Sequence, residues 1–154
     1  MAETPWQRLW ERALRQLPGG VQRVAVVYAD QQAARAPARA EIVSAAHGLG
    51  CRAVLVDTFV KDSRGLLAWW SLDEVAALVD DTQQRGMLAV VAGSLSLCDV
   101  AKLLPLEPDY VAVRGAVCAG GRAAALSPAR LLQFVQTVRA KEHRAASEEA
   151  GKFA

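Results

Sequence analysis

This sequence of 154 residues has no long hydrophobic run, almost no net charge and only three cysteines. The longest uncharged apolar runs, such as Val24–Ala29 and Met87–Ala92, have the length of a strand and fall far below the ~20 residues of a membrane span. A formal net charge of +2 gives no electrostatic footprint for nucleic acid. The three cysteines, Cys51, Cys98 and Cys118, form neither a disulfide framework nor a metal-ligand spacing. We therefore expect a protein of the reducing cytoplasm, with no membrane or nucleic-acid partner, no metal and no cofactor.

What remains is the composition of one globular domain. Hydrophobic residues make up 53% of the chain and charged residues 22%, which lies outside the range of disordered proteins. The amino terminus is charged and amphipathic, unlike a signal peptide. We predict a single domain over residues 1–142, followed by a frayed polar tail over residues 143–154.

The first twenty residues are predicted to form a helix. Thr4 suits the N-cap and Pro5 the first helical position, and Pro18–Gly20 ends the pattern. An apolar stripe that includes Trp6 and Trp10 recurs at helical spacing. Because the stripe carries two tryptophans, we expect it to be buried against a large surface.

Four strand–helix units follow. Their short, β-branched and nearly continuous apolar strands are typical of a parallel sheet that is buried on both faces. The predicted strands are Arg23–Tyr28, Ala53–Val56, Met87–Ala92 and Tyr110–Val113. Helix starts are predicted at Ser71, Ser96 and Ser127. Strict alternation predicts an α/β fold with right-handed crossovers.

Polar residues gather at the carboxyl ends of these strands, where parallel α/β proteins place their sites. Asp57 ends the second strand and Lys61 follows four residues later. Such a lysine can form a Schiff base or move a proton with the carboxylate, whereas the alternative is an exposed ion pair of little consequence. Asp30, after the first strand, is a candidate for a second acid–base group, or else a helix cap or loop residue.

The last two strands end in glycine-rich turns that suit an anion. Backbone N–H groups in such turns, together with an arginine, can cradle a phosphate, although glycines also simply permit tight turns. The candidate phosphate-binding residues are Gly93, Ser94, Arg114, Gly115, Gly120 and Gly121.

Three further features are predicted to be structural. Cys118 lies near two arginines but has no histidine base at a strand end, so we expect a buried thiol. His47 is expected beside the buried face of its helix, with a partner there. Trp69 and Trp70 precede Ser71 and suit packing of the loop or of the helix start, with a lid or a partner interface as the alternative.

The polar strand ends resemble one known family. Asp57-Thr-Phe-Val-Lys61-Asp, Ala92-Gly-Ser94 and Val113-Arg114-Gly-Ala-Val-Cys118-Ala-Gly-Gly121 look like the carboxyl-terminal half of the (5-formylfuran-3-yl)methyl phosphate synthases. The resemblance implies a TIM-barrel fold and a lyase that condenses two molecules of glyceraldehyde 3-phosphate into a phosphorylated furan aldehyde for methanofuran-type cofactors. It also implies that Asp57 and Lys61 belong to the active site, and that the two glycine-rich turns bind phosphate.

The chain departs from that family in its strand number. A (βα)₈ barrel has eight strands and this sequence predicts four, a (βα)₄ half-barrel with a leading helix. The family's amino-terminal lysines, one of which forms the Schiff base, have no counterpart here. Four open strands leave two edges and an apolar face, so we predict a homo-oligomer or a complex with an amino-terminal-half chain. The alternative function is a phosphate-binding or structural subunit without catalysis.

Overall fold

The computed structural model describes residues 5–62 and 64–151, and the side chains of those up to residue 140. The predicted N-cap Thr4 therefore lies outside the described residues. Six α-helices and four strands alternate in this part of the chain. In order they are α1 Pro5–Leu14, β1 Val24–Tyr28, α2 Gln31–Ala34, α3 Arg39–Gly48, β2 Ala53–Asp57, α4 Leu72–Gln84, β3 Leu88–Val91, α5 Leu97–Leu103, β4 Tyr110–Val111 and α6 Pro128–Gly151.

The four strands form one parallel sheet in the order β1-β2-β3-β4. The α/β fold and the parallel sheet are thus confirmed. Within the described residues β1 and β4 each have a single neighbour, so the sheet is open, as in half of a TIM barrel. The last strand is shorter than predicted, because pairing with β3 stops at Val111.

Within residues 5–62 and 64–151, helices cover only one face of the sheet, which corrects the prediction that the strands are buried on both faces. The covered face contributes Ala25, Val27, Val54, Val56, Ala89 and Val91 to the core. Successive right-handed crossovers between sequential strands place α3 and α4 on the same side, and both helices contribute buried valines to that core. The opposite face, which we call the bare face, carries Val24, Val26, Leu55, Leu88, Val90 and Tyr110, all of them half-buried or exposed, and the buried Ala53.

Helix α1 is shorter and less buried than the sequence predicts. It ends at Leu14, four residues before Pro18, and none of its residues is fully buried. Trp10 packs against the core and its ring lies 5.9 Å from that of Trp6, but Leu9 is 67% exposed. The predicted burial of the stripe was wrong, because α1 reaches the core only at its Trp10 side.

Helix α6 runs further than predicted. It continues to Gly151, past residue 143, where the sequence indicated a frayed tail. The segment from 140 to 149 is rich in Ala, Glu, Lys and Arg, which favour helix even when they are polar. No described helix is both long enough and apolar enough to cross a bilayer.

Candidate active site at the carboxyl ends of β2 to β4

A cleft of about 540 Å³ opens on the bare face where β2, β3 and β4 end. Its apolar lining comes from Leu55 of β2 and from residues just after β3 and β4, such as Ala92 and Val113, and its polar lining comes from Asp57 and the segments that follow the strands. The lining residues that carry charge or a hydroxyl are Asp57, Lys61, Asp62, Ser94, Ser96, Arg114 and Arg122. Among the described residues the cleft therefore contains three cationic side chains and two carboxylates.

Asp57 and Lys61 form an ion pair inside this cleft. Asp57 is the last residue of β2, and its Oδ1 lies 2.6 Å from Lys61 Nζ, with both side chains under one third exposed. The Thr58 backbone N–H also donates to Asp57 Oδ1 at 2.8 Å, which fixes the carboxylate at the strand end. A carboxylate and an ammonium in direct contact can exchange a proton, so the pair has the geometry of an acid–base dyad.

The second carboxylate of the cleft is already engaged. Asp62 accepts from the Arg64 Nη2 at 2.8 Å and from the Arg64 backbone N–H at 2.8 Å. The Arg64 side-chain hydrogen bond is the main cause that lowers the pKa of Asp62 from its ordinary value. Asp57 is thus the carboxylate that faces Lys61.

The turn after β3 needs glycine for two reasons. Gly93 has φ +105°, and a Cβ there would lie 3.2 Å from the Leu66 Cβ and 3.3 Å from the Thr58 Cγ2. Its carbonyl accepts from the Leu66 N–H at 2.8 Å. The tight-turn alternative therefore accounts for Gly93 itself, while the exposed Ser94 beside it lines the cleft.

Two arginines border the cleft near the end of β4. The Arg114 Nε donates to the Arg122 carbonyl at 3.2 Å, which links the start and the end of this loop. Gly115 lies in the same wall. Two guanidinium groups beside an exposed turn form a suitable site for a phosphate, which they can bind with paired N–H groups.

Gly120 and Gly121 lie elsewhere. Neither is among the residues that line the cleft, and Gly121 has φ +88° in the turn that lets Cys118 bridge Leu126. The two glycines directly precede Arg122 in the loop that carries it to the rim, and their place in an anion cradle stays a prediction. Arg122 and Ser96 were missed as site residues, although Arg122 directly follows the glycine pair.

Asp30 is not a cleft residue, which corrects its predicted role as an acid–base group. It is 3% exposed, and its two carboxylate oxygens accept from the backbone N–H groups of Phe59 and Val60 at 2.7 and 2.8 Å. Asp30 precedes α2 but makes no side-chain cap bond. Burial acts to raise its pKa, but the backbone hydrogen bonds from Phe59, Val60 and Asp30 itself, together with the Lys61 charge, outweigh burial and lower it below 3.8.

The predicted structural residues mostly fit the fold. Cys118 is fully buried, and Trp70 packs against the core under the Arg39 guanidinium. His47 is exposed, so its predicted partner on the buried face was wrong. The buried face of α3 is formed by Ile42, Val43 and Ala46, and the residue after Ala46 is turned about 100° away from Ala46 around the helix axis.

Comparisons with known proteins identify the family. A family model described as 4-HFC-P synthase matches residues 2–135. The chain belongs to the 4-HFC-P synthase family. A relative in Methanococcus maripaludis, named (5-formylfuran-3-yl)methyl phosphate synthase, is 35% identical over 98 residues, which are 64% of this chain and 42% of the relative. One of the same name in Methanopyrus kandleri is 33% identical over 114 residues, or 74% of this chain and 48% of the relative.

A third relative of this 4-HFC-P synthase family member covers more of the chain. It comes from Methylorubrum extorquens, is provisionally given the same synthase name, and is 35% identical over 130 residues, 83% of this chain and 52% of its own length. The chain thus spans about half the length of the curated relatives it matches. Among solved structures, a phosphoribosyl anthranilate isomerase from Thermus thermophilus aligns over 87% of this chain and 80% of its own, with TM-score 0.46 and 13% identity.

Proposed function

We propose that this chain provides half of a (5-formylfuran-3-yl)methyl phosphate synthase, a cytoplasmic lyase, and that the cleft at the ends of β2 to β4 is part of its active site. In this proposal two molecules of glyceraldehyde 3-phosphate condense to a phosphorylated furan aldehyde, with loss of one phosphate and two molecules of water. The product serves methanofuran-type cofactors. The main support is that the Asp57–Lys61 pair and two arginines share one cleft in a member of this family.

In this proposal the arginines of the cleft bind phosphate, and the Asp57–Lys61 pair transfers protons. Arg114 and Arg122 bind the phosphate ester, because a guanidinium matches its geometry and keeps its charge. The reacting carbons then lie toward Asp57 and Lys61. The ammonium donates a proton to the oxygen that leaves as water, and the Asp57 carboxylate holds that ammonium and takes part in returning the proton.

The first test is an assay of turnover of glyceraldehyde 3-phosphate. Product formation is measured by furan absorbance and by the release of phosphate. Wild type and Lys61→Ala are compared, with Lys102→Ala as the matched lysine control, since Lys102 lies on α5 outside the cleft. We expect both products with wild type and the control only. Each protein is assayed alone and with a chain carrying the family's amino-terminal half, and the absence of product in both arms would refute the proposal.

We further propose that the bare face packs against a second copy of this chain. Two four-stranded sheets together supply the eight strands of a closed barrel, with β1 of each copy beside β4 of the other. The bare face is apolar at Val26, Leu55 and Val90, so a twofold packing of the face on itself needs no complementary charge. A separate chain with the family's other half is the competing occupant.

One observation favours a second function, phosphate binding without catalysis. Lys61 is the one lysine among the described residues that line the cleft, so that part of the chain offers no separate lysine there for an imine and for proton transfer. Borohydride reduction in the presence of glyceraldehyde 3-phosphate separates the two functions. A mass adduct on Lys61 supports the synthase, whereas calorimetric binding without adduct or product supports the binding subunit.

A further inference from the structure

The loop that carries Lys61 is held from another strand. Phe59 and Val60 lie in the segment after β2, and their backbone N–H groups donate to a carboxylate that follows β1, 29 and 30 residues earlier. The Tyr28 and Phe59 rings add an edge-to-face contact at 5.5 Å. Both links therefore join the end of β1 to the residues directly before Lys61.

Asp30 is well suited to this task. Both of its oxygens are used by the loop, it is almost completely buried, and it does not line the cleft. Hydrogen bonds from N–H groups to a carboxylate are shorter and stronger than those to a neutral acceptor. A group without access to the cleft has no contact with a substrate there, so it acts through the backbone it holds and through the attraction between its charge and the Lys61 ammonium.

We infer that Asp30 is a positioning residue that fixes the Phe59–Val60 backbone and so holds Lys61 against Asp57. The side chain of Lys61 begins one residue after Val60, and its Nζ reaches Asp57 Oδ1 at 2.6 Å and Thr58 Oγ1 at 3.5 Å. Without the carboxylate the loop loses its two backbone hydrogen bonds to the end of β1, and the ammonium exchanges between the cleft and solvent. The kinetic part of this inference rests on the proposed function, while the structural part does not.

The test compares Asp30→Asn with Asp109→Asn as a matched control. Asp109 likewise uses a carboxylate to accept a backbone N–H, that of Ala89 at 2.8 Å, but outside the cleft. In Asp30→Asn one N–H group must face the amide NH₂ instead of an oxygen. We expect hydrogen exchange at Phe59 and Val60 to become at least tenfold faster in this variant and to stay unchanged in the control.

A second readout follows Lys61 itself. Labelling by an amine-reactive ester, measured by mass spectrometry relative to Lys102, should rise several-fold at Lys61 in Asp30→Asn because the amine is released from Asp57. The control should keep the wild-type ratio, and Asp30→Glu, which keeps the charge, should recover part of it. Unchanged labelling and exchange in a folded Asp30→Asn would overturn the inference.

The wild type keeps the inference testable even where the variants do not fold. Its Phe59 and Val60 amides should exchange at least tenfold more slowly than the Lys61 amide, which donates to no residue described, and equal rates would contradict the inference. Where turnover is measurable, Asp30→Asn should lower kcat and leave KM within about twofold. Absence of turnover in wild type would defeat the proposed function but not the exchange and labelling results.

Discussion

Two carboxylates near one loop have different environments and therefore different chemistry. Asp57 is partly exposed and faces an ammonium, so its charge is available to the cleft. Asp30 is buried and accepts hydrogen bonds from backbone N–H groups, so its charge stabilises the loop. The sequence places both after strands and cannot separate them, because the partner of Asp30 lies about thirty residues away along the chain.

The lowered pKa of Asp30 makes part of the stability pH-dependent. Its folded pKa lies below 3.8, the ordinary value that applies in the unfolded chain. The stabilisation is therefore fully present above about pH 3.8 and is lost as the pH falls through the lower folded value. In urea unfolding, the free energy of unfolding of wild type should exceed that of Asp30→Asn by about 1–3 kcal/mol at pH 6. This difference in stability should shrink toward pH 2.5. An equal difference at both pH values would contradict this origin.

Arg114 should determine how tightly the cleft binds a phosphate ester. Arg114 lines the cleft just after β4, and Arg114→Ala removes one of the two guanidinium groups of the proposed phosphate site. We expect the Kd for glyceraldehyde 3-phosphate to rise at least tenfold by calorimetry. Arg85→Ala is the control, because Arg85 pairs with Asp81 on α4 and should leave Kd unchanged. Equal weakening in both variants would argue against a phosphate site here.

At the scale of elements, local signals determine where helices begin. Ser71 and Ser96 each accept the N–H group three residues later, as their capping boxes predict, and α4 and α5 start directly after them. These contacts span only three residues, so the sequence alone is enough to predict them. The length of α1 and the burial of its stripe depend on what packs against it, and both were predicted incorrectly.

The turn after β3 can be tested against another left-handed glycine. Gly93 and Gly86 have φ +105° and +73°, but only at Gly93 would a Cβ meet neighbours within 4 Å. We expect Gly86→Ala to cost about 1 kcal/mol in the free energy of unfolding for its backbone, and Gly93→Ala about 1–3 kcal/mol more for overlap with Thr58 and Leu66. Chemical denaturation measures both losses of stability. Equal losses in the two variants would show that the turn after β3 has space for a Cβ at residue 93.

For the whole molecule, strand order follows from alternation, but the exposure of the two sheet faces does not. Apolar strands such as β1 and β2 suit burial on both faces, and the sequence predicts that burial. In the described chain the helices cover one face only, which leaves Val24 and Tyr110 52% and 60% exposed on the other. An apolar face of this kind is typical of a surface that is covered in an assembly.

A charge in the middle of the bare face should prevent self-association. Val26 pairs in register with Leu55 on β2 and is not among the residues that line the cleft. By sedimentation at micromolar concentration we expect wild type to have twice the mass of one chain and Val26→Asp to have the mass of one. The control Val21→Asp, an exposed residue outside the sheet, should remain paired. A wild-type monomer that pairs only with the family's other half would assign the face to that chain.

The central claim is that a triose phosphate binds at the carboxyl ends of β2 to β4. Titration of ¹⁵N-labelled protein with glyceraldehyde 3-phosphate tests it directly, because a second cleft at the opposite end of the strands, lined by Arg23, Arg52 and Arg85, provides an internal comparison. We predict saturable shifts of the Ser94, Gly115 and Lys61 amides. Shifts confined to the cleft around Arg52, or no saturable shifts at all, would contradict the claim.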